Sequence, residues 1–329
     1  MGIRWNSCIA VLFFICRLAL ASNTTESDLL VHWSNEWDVT NAKKVDSTEI
    51  PLPSDDNQLG VITRGPPQEA IITYNLRLGI NITAHDYPFI VSLREKGRGG
   101  QHFCAGSLLS TVHILTAAHC VASPSANKRF TVKDARTFEV GVGLHDRNSS
   151  DRRHWFAVKS VHVHEQYVKV NDTIRHDIAL LTLEKPVQPP LFGGKANSFK
   201  LPPNRNTNPR AGEYLIAIGW GKTTIFHDEL PRLLLGARLQ VITDAECAKR
   251  LKKGKTMPPE IICVDNTQTT TCGGDNGGPL FQKIGQQKFR LVGITSYFPP
   301  KCIMRNMASV FTRVSQYLPW IKAARARNI

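Results

Sequence analysis

Three short motifs of this 329-residue chain contain three of the four kinds of group that acyl transfer requires. In chain order they are Thr116-Ala117-Ala118-His119-Cys120, Asp177-Ile178-Ala179-Leu180-Leu181 and Gly274-Asp275-Asn276-Gly277-Gly278-Pro279. Acyl transfer needs a hydroxyl nucleophile, an imidazole that takes its proton, a carboxylate that orients the imidazole, and backbone N–H groups that hold the oxyanion. A lone histidine or aspartate is usually a surface or core residue, but three motifs in this order indicate chemistry.

The segments around these motifs predict a β-protein. Short β-branched runs separated by turn residues occur at 89–93, 113–117, 138–144, 155–164, 178–183, 214–218 and 288–297. Many short strands at this spacing are typical of an all-β barrel or sandwich. Only the C-terminal segment predicts a helix, with Ser315 as its N-cap and Leu318, Ile321 and Ala324 at spacings of three.

The three motifs resemble the signature segments of the chymotrypsin/trypsin family, and this resemblance covers residues 76–329. Other segments that resemble the family are Tyr87-Pro88-Phe89, Gly219-Trp220-Gly221 and Tyr317-Leu318-Pro319-Trp320-Ile321. The resemblance implies an all-β fold of two six-stranded antiparallel β-barrels with a C-terminal helix. It also implies that His119 stands at the general-base position, Asp177 at the orienting carboxylate and Gly274 at an oxyanion-hole amide.

The resemblance places Asn276 where the family carries its nucleophilic serine. A carboxamide nitrogen has its lone pair delocalised into the carbonyl group, and no neighbouring base turns it into the equivalent of an alkoxide. Removal of a triad serine lowers turnover on the order of 10⁶-fold. The sequence therefore predicts a pseudoenzyme, that is, a non-catalytic serine protease homologue.

A second departure from the family concerns zymogen activation. Family zymogens are cut after a basic residue, and the new ammonium group pairs with the aspartate beside the nucleophile. Here the aligned stretch is Asn75-Leu76-Arg77-Leu78-Gly79, with no basic residue at position 75. We expect Asp275 to lack that partner and to be solvated, protonated or paired elsewhere, because burying an unpaired carboxylate is costly. A loosely ordered oxyanion loop is the predicted consequence.

The residues that resemble the family's primary specificity pocket also differ. Phe298, in Ser296-Tyr297-Phe298, and Ser309 stand where the family has glycines, which predicts a pocket narrowed from both sides. Thr270, at the base of the pocket, offers no carboxylate to a basic substrate side chain. Trypsin-like substrate recognition is therefore not expected.

Residues 1–21 predict a signal peptide, because the apolar stretch Cys8–Cys16 is too short to span a bilayer and is followed by the small-x-small site Ala19-Leu20-Ala21. Residues 22–75 are polar and predict a flexible, cysteine-free extension, which disfavours a cysteine-stapled clip domain.

The six cysteines that follow the predicted signal peptide predict three disulfides. The resemblance pairs Cys104 with Cys120, Cys247 with Cys263 and Cys272 with Cys302. Sequons occur at Asn23, Asn81, Asn148 and Asn171.

Three functions are compatible with these features. The first is a secreted homologue that binds a protease, an inhibitor or a cascade component, as in immune or reproductive secretions. The second is recognition of sulfated glycans, favoured by a formal net charge of +14. Its candidate residues are Lys249, Arg250, Lys252, Lys253, Lys255, Lys322, Arg325 and Arg327, although a solvated basic surface is the simpler interpretation. The third is residual endopeptidase activity, through water activated by His119 or through Ser296 as nucleophile. No cofactor, metal, nucleic acid or transmembrane segment is expected.

Overall fold

The computed structural model describes residues 79–80, 82–97, 100–125, 130–170, 173–188, 198–223, 229–252, 257–266, 271–297 and 307–327. The strands, in chain order, are β1 Gly79–Ile80, β2 Ile90–Glu95, β3 His102–Leu108, β4 His113–Thr116, β5 Ala122–Pro124, β6 Phe130–Val132, β7 Phe138–Val142, β8 Trp155–Val163, β9 Val168–Val170, β10 Thr173–Arg175, β11 Ala179–Leu183, β12 Tyr214–Gly219, β13 Leu235–Gln240, β14 Ile261–Asp265, β15 Pro279–Gly285, β16 Lys288–Tyr297 and β17 Ala308–Arg313. The α-helices are α1 Ala118–Val121, α2 Asp244–Arg250 and α3 Leu318–Arg327.

The strands form two main sheets, and the mostly-β class is confirmed. The first sheet closes into a six-stranded antiparallel barrel in the order β11-β4-β3-β2-β7-β8. The second is a seven-stranded sheet in the order β1-β13-β12-β15-β16-β17-β14. Within the described residues it is an open half-barrel rather than a second closed barrel, and an isolated bridge between Val241 and Val264 links the regions of β13 and β14.

The two sheets meet through an aromatic cluster at their interface. Phe89 stands just before β2 and lies 4.1 Å from Phe199 and 6.0 Å from Phe281 of β15, measured between ring centroids. Phe289 of β16 lies 5.1 Å from Phe89. These side chains are buried, so their apolar area stabilises the contact between the sheets as well as each sheet alone. Each of the seven segments predicted as strands overlaps an observed strand.

The helices depart from the sequence prediction in two respects. Ser315 does not cap α3, because the helix begins at Leu318 after a 3₁₀ turn and the Ser315 hydroxyl donates to Asn208 Oδ1 at 2.8 Å. Helix α2 was not predicted, yet Thr243 caps it by accepting the Glu246 N–H at 3.1 Å. Thr-x-x-Glu is the sequence signal of a capping box, so this helix start was readable in the sequence. No described helix is long and apolar enough to cross a membrane.

Candidate functional site

Pairing between β4 and β11 brings the histidine and aspartate motifs together. Thr116 and Ala179 are partners across the two strands, so α1, which follows β4, lies beside the residues that precede β11. His119 Nδ1 lies 2.7 Å from Asp177 Oδ2. The backbone N–H of His119 donates to the other carboxylate oxygen at 2.8 Å. This two-point contact fixes the imidazole against the carboxylate.

Asp177 is held as a buried carboxylate by three donors. It is 3% exposed, and Ser296 Oγ donates to its Oδ2 at 2.5 Å in addition to the two contacts from His119. Burial by itself raises the pKa of Asp177, but the charge of His119 and the hydrogen bonds from His119 and Ser296 outweigh it and hold the pKa below its usual value. The hypothesis that Ser296 is an alternative nucleophile stays a prediction, and its hydroxyl group is bound to Asp177 in this structure.

Asn276 lies in a turn that joins the two sheets. Its backbone carbonyl accepts the N–H of Ala105 in β3 at 2.7 Å, and the next N–H, that of Gly277, donates to the Thr295 carbonyl in β16 at 2.9 Å. Asn276 itself is partly exposed. The turn approaches the first barrel so closely that a Cβ at Gly277 would lie 2.2 Å from Thr116 Oγ1, and Gly277 has a φ of +76°. Only glycine fits here without strain.

Asp275 is buried and hydrogen-bonded, which excludes one of the alternatives left open by the sequence. It is 1% exposed and therefore not solvated. Its carboxylate accepts the backbone N–H of Gly221 at 2.8 Å and that of Cys272 at 2.9 Å. Two further backbone hydrogen bonds close the turn: the N–H of Asp275 donates to the carbonyl of Cys272, and the N–H of Gly278 donates to the carbonyl of Asp275. The described contacts give no support to the predicted loose ordering of this loop.

His102 also holds this turn, and sequence reasoning missed it. Its Nε2 lies 2.8 Å from the carbonyl oxygen of Gly274, and its Nδ1 lies 2.7 Å from Ser92 Oγ. Gly274 has a φ of +100°, a conformation suited to glycine. The only available signal was the position of His102, two residues before the disulfide cysteine Cys104. A buried histidine therefore connects β2 to the predicted oxyanion-hole residue.

The predicted specificity-pocket residues are only partly within the described chain. Ser309 of β17 is fully buried and pairs with Val264 of β14. Ser296 lies near the end of β16 with its hydroxyl on Asp177. Phe298 and Thr270 lie outside the described residues, so narrowing of the pocket by Phe298 stays a prediction.

Two of the implied disulfides lie within the described chain. Cys104 is bonded to Cys120 beside His119, and Cys247 of α2 is bonded to Cys263 of β14. Cys272 is also disulfide-bonded, whereas Cys302, its implied partner, lies outside the described residues. Sulfur atoms near His119 therefore belong to a disulfide and are not free thiolates that could bind a metal.

The predicted modification and basic-patch residues have mixed outcomes. Asn148 is exposed, but Asn23, Asn81 and Asn171 lie outside the described residues, as do Lys253 and Lys255. Arg250 is not a free surface cation, because it pairs with Glu246 at 2.8 Å and with Asp265 at 2.5 Å. Arg327 lies 3.4 Å from Glu165. Lys249, Lys252 and Lys322 are exposed, and Arg325 is partly buried.

The model of the trypsin family matches residues 78–321 of this chain. The chain belongs to the trypsin family. Its relatives include a fibrinolytic enzyme, isozyme C, of Lumbricus rubellus, 31% identical over 74% of this chain and 97% of the relative. Phenoloxidase-activating factor 3 of Holotrichia diomphalia is 32% identical over 72% of this chain and 68% of the relative. Serine protease 1 of Drosophila melanogaster is 30% identical over 71% of this chain and 80% of the relative.

The trypsin-family match includes all three motifs from which the site was built. It begins at residue 78, two residues after the start expected from the sequence resemblance. In this trypsin-family member the imidazole and the carboxylate lie at hydrogen-bonding distance. The arrangement suits proton transfer from a hydroxyl group that would be placed against His119.

Proposed function

We propose that this trypsin-family chain is a secreted, catalytically inactive homologue that acts by binding other proteins. The observation that carries the proposal is the identity of Asn276. It follows the buried Asp275 in the turn that joins β3 to β16, at the point where the family resemblance expects the nucleophile. An asparagine there leaves the His119–Asp177 pair without a hydroxyl group to deprotonate.

The hydroxyl group of Ser296, which lies beside the pair, does not replace the missing one. Ser296 donates to Asp177, and this bond stabilises the carboxylate instead of presenting an oxygen atom to His119. Water activated by His119 would attack without covalent catalysis, and such residual activity is several orders of magnitude weaker than that of a complete triad. The chain thus keeps the carboxylate of Asp177, which orients the imidazole of His119, but has no attacking oxygen atom at position 276.

A binding role in an extracellular proteolytic pathway is the function we infer. The fold presents loops on a rigid frame, and such loops carry recognition independently of catalysis. One relative is named a phenoloxidase-activating factor, which supports a partner that is a protease, an inhibitor or another cascade component. The predicted signal peptide at residues 1–21 supports secretion. An immune or a reproductive secretion is the expected setting.

The direct test is labelling of the natural protein and of Asn276→Ser with a fluorophosphonate probe, read by mass spectrometry. We expect no adduct on the natural protein. A covalent adduct at residue 276 of the natural chain, or its turnover of peptide substrates, would overturn the proposal. The double variant Asn276→Ser with His119→Ala controls for labelling that does not depend on the imidazole.

We also predict that Asn276→Ser alone restores little peptide hydrolysis. Ser309 fills a buried position where the family has glycine, and position 75 lacks the basic residue needed for a trypsin-like activation cut. The measurement is hydrolysis of peptide substrates with basic, aromatic and small residues at the cleavage site, compared with Asn276→Ser/Ser309→Gly. Substantial hydrolysis by the single variant would show that the pocket is open, without affecting the assignment for Asn276.

A further inference from the structure

Histidines of the first barrel lie beneath the C-terminal segment, which is defined here as the 3₁₀ turn Val314–Tyr317 together with α3. They come from separate parts of the barrel sequence. His113 is the first residue of β4, His162 lies in β8, His164 follows the end of β8, and His176 precedes Asp177. The fold thus gathers under one helix several side chains that change charge between about pH 5 and pH 8.

The aromatic residues of the C-terminal segment pack directly on these imidazole rings. The rings of His164 and His176 are stacked, with centroids 4.9 Å apart and planes 9° from parallel. Tyr317 presents its edge to both of them, and its hydroxyl oxygen lies 3.0 Å from His176 Nδ1. Trp320 lies 5.2 Å from His164 and stacks on His162 at 5.4 Å, measured between ring centroids.

This packing favours neutral histidines. Burial is the main cause that lowers the pKa of His164 to about 4; the neighbouring His176 adds to this effect, the carboxylate of Glu165 opposes it, and His162 contributes least. Because the rings of His164 and His176 are stacked, a positive charge on one is unfavourable to a charge on the other. Protonation therefore acts against the docked arrangement.

His113 has the same preference at the other end of the helix. It is 5% exposed, and Ser110 Oγ lies 2.9 Å from its Nδ1. Burial lowers the pKa of His113, and the positive charge of Arg325 in α3 lowers it further. A proton taken up by His113 would therefore face a cation of the helix that covers it.

The charges around the C-terminal segment do not offset such protonation. From Leu318 to Arg327, α3 contains three basic residues and no acidic residue. Glu165 faces the histidines from the barrel, but it already contacts Arg327 at 3.4 Å, Trp320 Nε1 at 3.0 Å and His162 Nε2 at 3.2 Å. An acidic medium therefore adds positive charge beneath a basic helix.

The carboxylates on the far side of Tyr317 have cationic partners of their own. Glu260, Arg175 and Asp177 all act on the hydroxyl group of Tyr317, whose pKa is raised mainly by burial. Glu260 forms an ion pair with Arg175, and Asp177 contacts His119. These acids are thus already compensated before any proton reaches His176.

We propose that the C-terminal segment is a pH-sensitive device, docked on the first barrel at neutral pH and released when the histidines beneath it take up protons. The stability that neutral histidines give to docking is present above their unfolded pKa of about 6.5 and is lost as pH falls toward the lower folded value. Release exposes Ile321 and Ala324, which are buried in the docked state. Because α3 is held by side-chain packing and not by strand pairing, it can undock while the sheets stay intact. The inference does not depend on Asn276.

The test is hydrogen exchange of the natural full chain at pH 7.5 and pH 5.0, read by mass spectrometry and corrected for the intrinsic exchange rates. The measured quantity is the acid response, that is, the ratio of the corrected rates at the two pH values. We expect an acid response of about tenfold for peptides from 314–327; the full shift at His164 would give about 30-fold, and partial exposure to solvent reduces it. Peptides from β2 and β12 should show no acid response, and protection of 314–327 should return at pH 7.5.

Histidine variants test which groups take up the protons. His164 Nδ1 accepts the N–H of Gln166 at 3.1 Å, and an asparagine side chain can accept the same N–H. We expect His164→Asn to reduce the acid response to less than about threefold. His176→Asn should also reduce it, because the stacked neighbour is lost. His85→Asn is the matched control, since His85 is exposed and both residues have positive φ, +52° at His176 and +66° at His85, which asparagine tolerates.

A second pair of variants leaves every histidine in place. Arg325→Gln removes the cation that acts on His113, and Lys322→Gln removes an exposed cation from the same helix. Both variants lower the net charge by one. We expect Arg325→Gln to reduce the acid response about twofold more than Lys322→Gln does. This pair tests the inference even if the histidine variants do not fold.

Three outcomes would overturn the inference. The first is an acid response near one for peptides from 314–327 of the natural protein. The second is an equal acid response in β2, β12 and 314–327, which would show that acid destabilises the whole domain. The third is an unchanged acid response in both His164→Asn and Arg325→Gln, which would assign it to groups outside this cluster.

Discussion

At the scale of single residues, Asp177 shows how the site keeps its order without a nucleophile. Its carboxylate receives one side-chain contact and one backbone bond from His119 and one hydroxyl bond from Ser296. Burial opposes ionisation of Asp177, and these partners reverse that effect on its pKa. Loss of the attacking hydroxyl group removes the reaction, but the buried carboxylate of Asp177 still requires hydrogen-bond partners.

We predict that Ser296→Ala destabilises the protein by about 1–3 kcal/mol at neutral pH, because Asp177 loses a charge-assisted hydrogen bond. The folded pKa of Asp177 is lowered, so this stabilisation is present above the unfolded pKa of about 4 and is lost as pH falls through the folded value. The difference from the natural protein should therefore shrink at acidic pH. Urea unfolding between pH 7 and pH 3 measures it.

The control is Ser315→Ala, in which the lost hydroxyl bond goes to the neutral amide of Asn208. We expect a loss of about 1 kcal/mol that does not change across the same pH range. If Ser296→Ala and Ser315→Ala behave alike with pH, the hydroxyl of Ser296 does not act on an ionised Asp177.

At the scale of elements, the turn at residues 272–278 connects the two sheets. Asn276 accepts from Ala105 of β3, and Gly277 donates to Thr295 of β16. His102, the first residue of β3, contacts the carbonyl oxygen of Gly274. The turn therefore holds the two sheets together, in addition to being the place where the family has its nucleophile. This structural role requires the same glycines whether residue 276 is serine or asparagine.

We predict that Gly277→Ala destabilises the protein by about 2 kcal/mol or more. The residue has a φ of +76°, and a Cβ would lie 2.5 Å from the carbonyl oxygen of Ala105, so left-handed strain and overpacking add. Gly285→Ala is the control, since its Cβ would meet only the Lys288 side chain at 3.8 Å. Thermal and urea unfolding should separate the two variants; equal stability would show that the turn relaxes away from β3.

Sequence patterns predicted the elements whose signals are local. The apolar runs that became β4 and β11 are fully buried, and their pairing brings His119 to Asp177. The contacts of Asp275 with Gly221 and of Arg250 with Asp265 could not be predicted in this way. Gly221 lies 54 residues from Asp275, and the choice between solvent and a distant backbone amide is made by packing.

At the scale of the whole molecule, positive charge is spread over the surface. The chain has a formal net charge of +14, and exposed lysines occur both on α2, at Lys249, and on β15, at Lys283. Two members of the predicted glycan-binding patch, Arg250 and Arg327, contact carboxylates. This pairing lowers the local potential and favours general attraction to polyanions over a defined glycan site.

We therefore predict that immobilised heparin retains the natural protein only as strongly as its net charge requires. Lys249→Ala and Lys283→Ala each remove one positive charge from an exposed side chain, so both should lower the eluting salt concentration by a similar, small amount. The measurement is elution from immobilised heparin and from a sulfonate cation exchanger, which carries no sugar. A loss specific to heparin and larger for Lys249→Ala would contradict the prediction and identify α2 as part of a glycan site, since screening by salt acts equally on charges that are merely exposed.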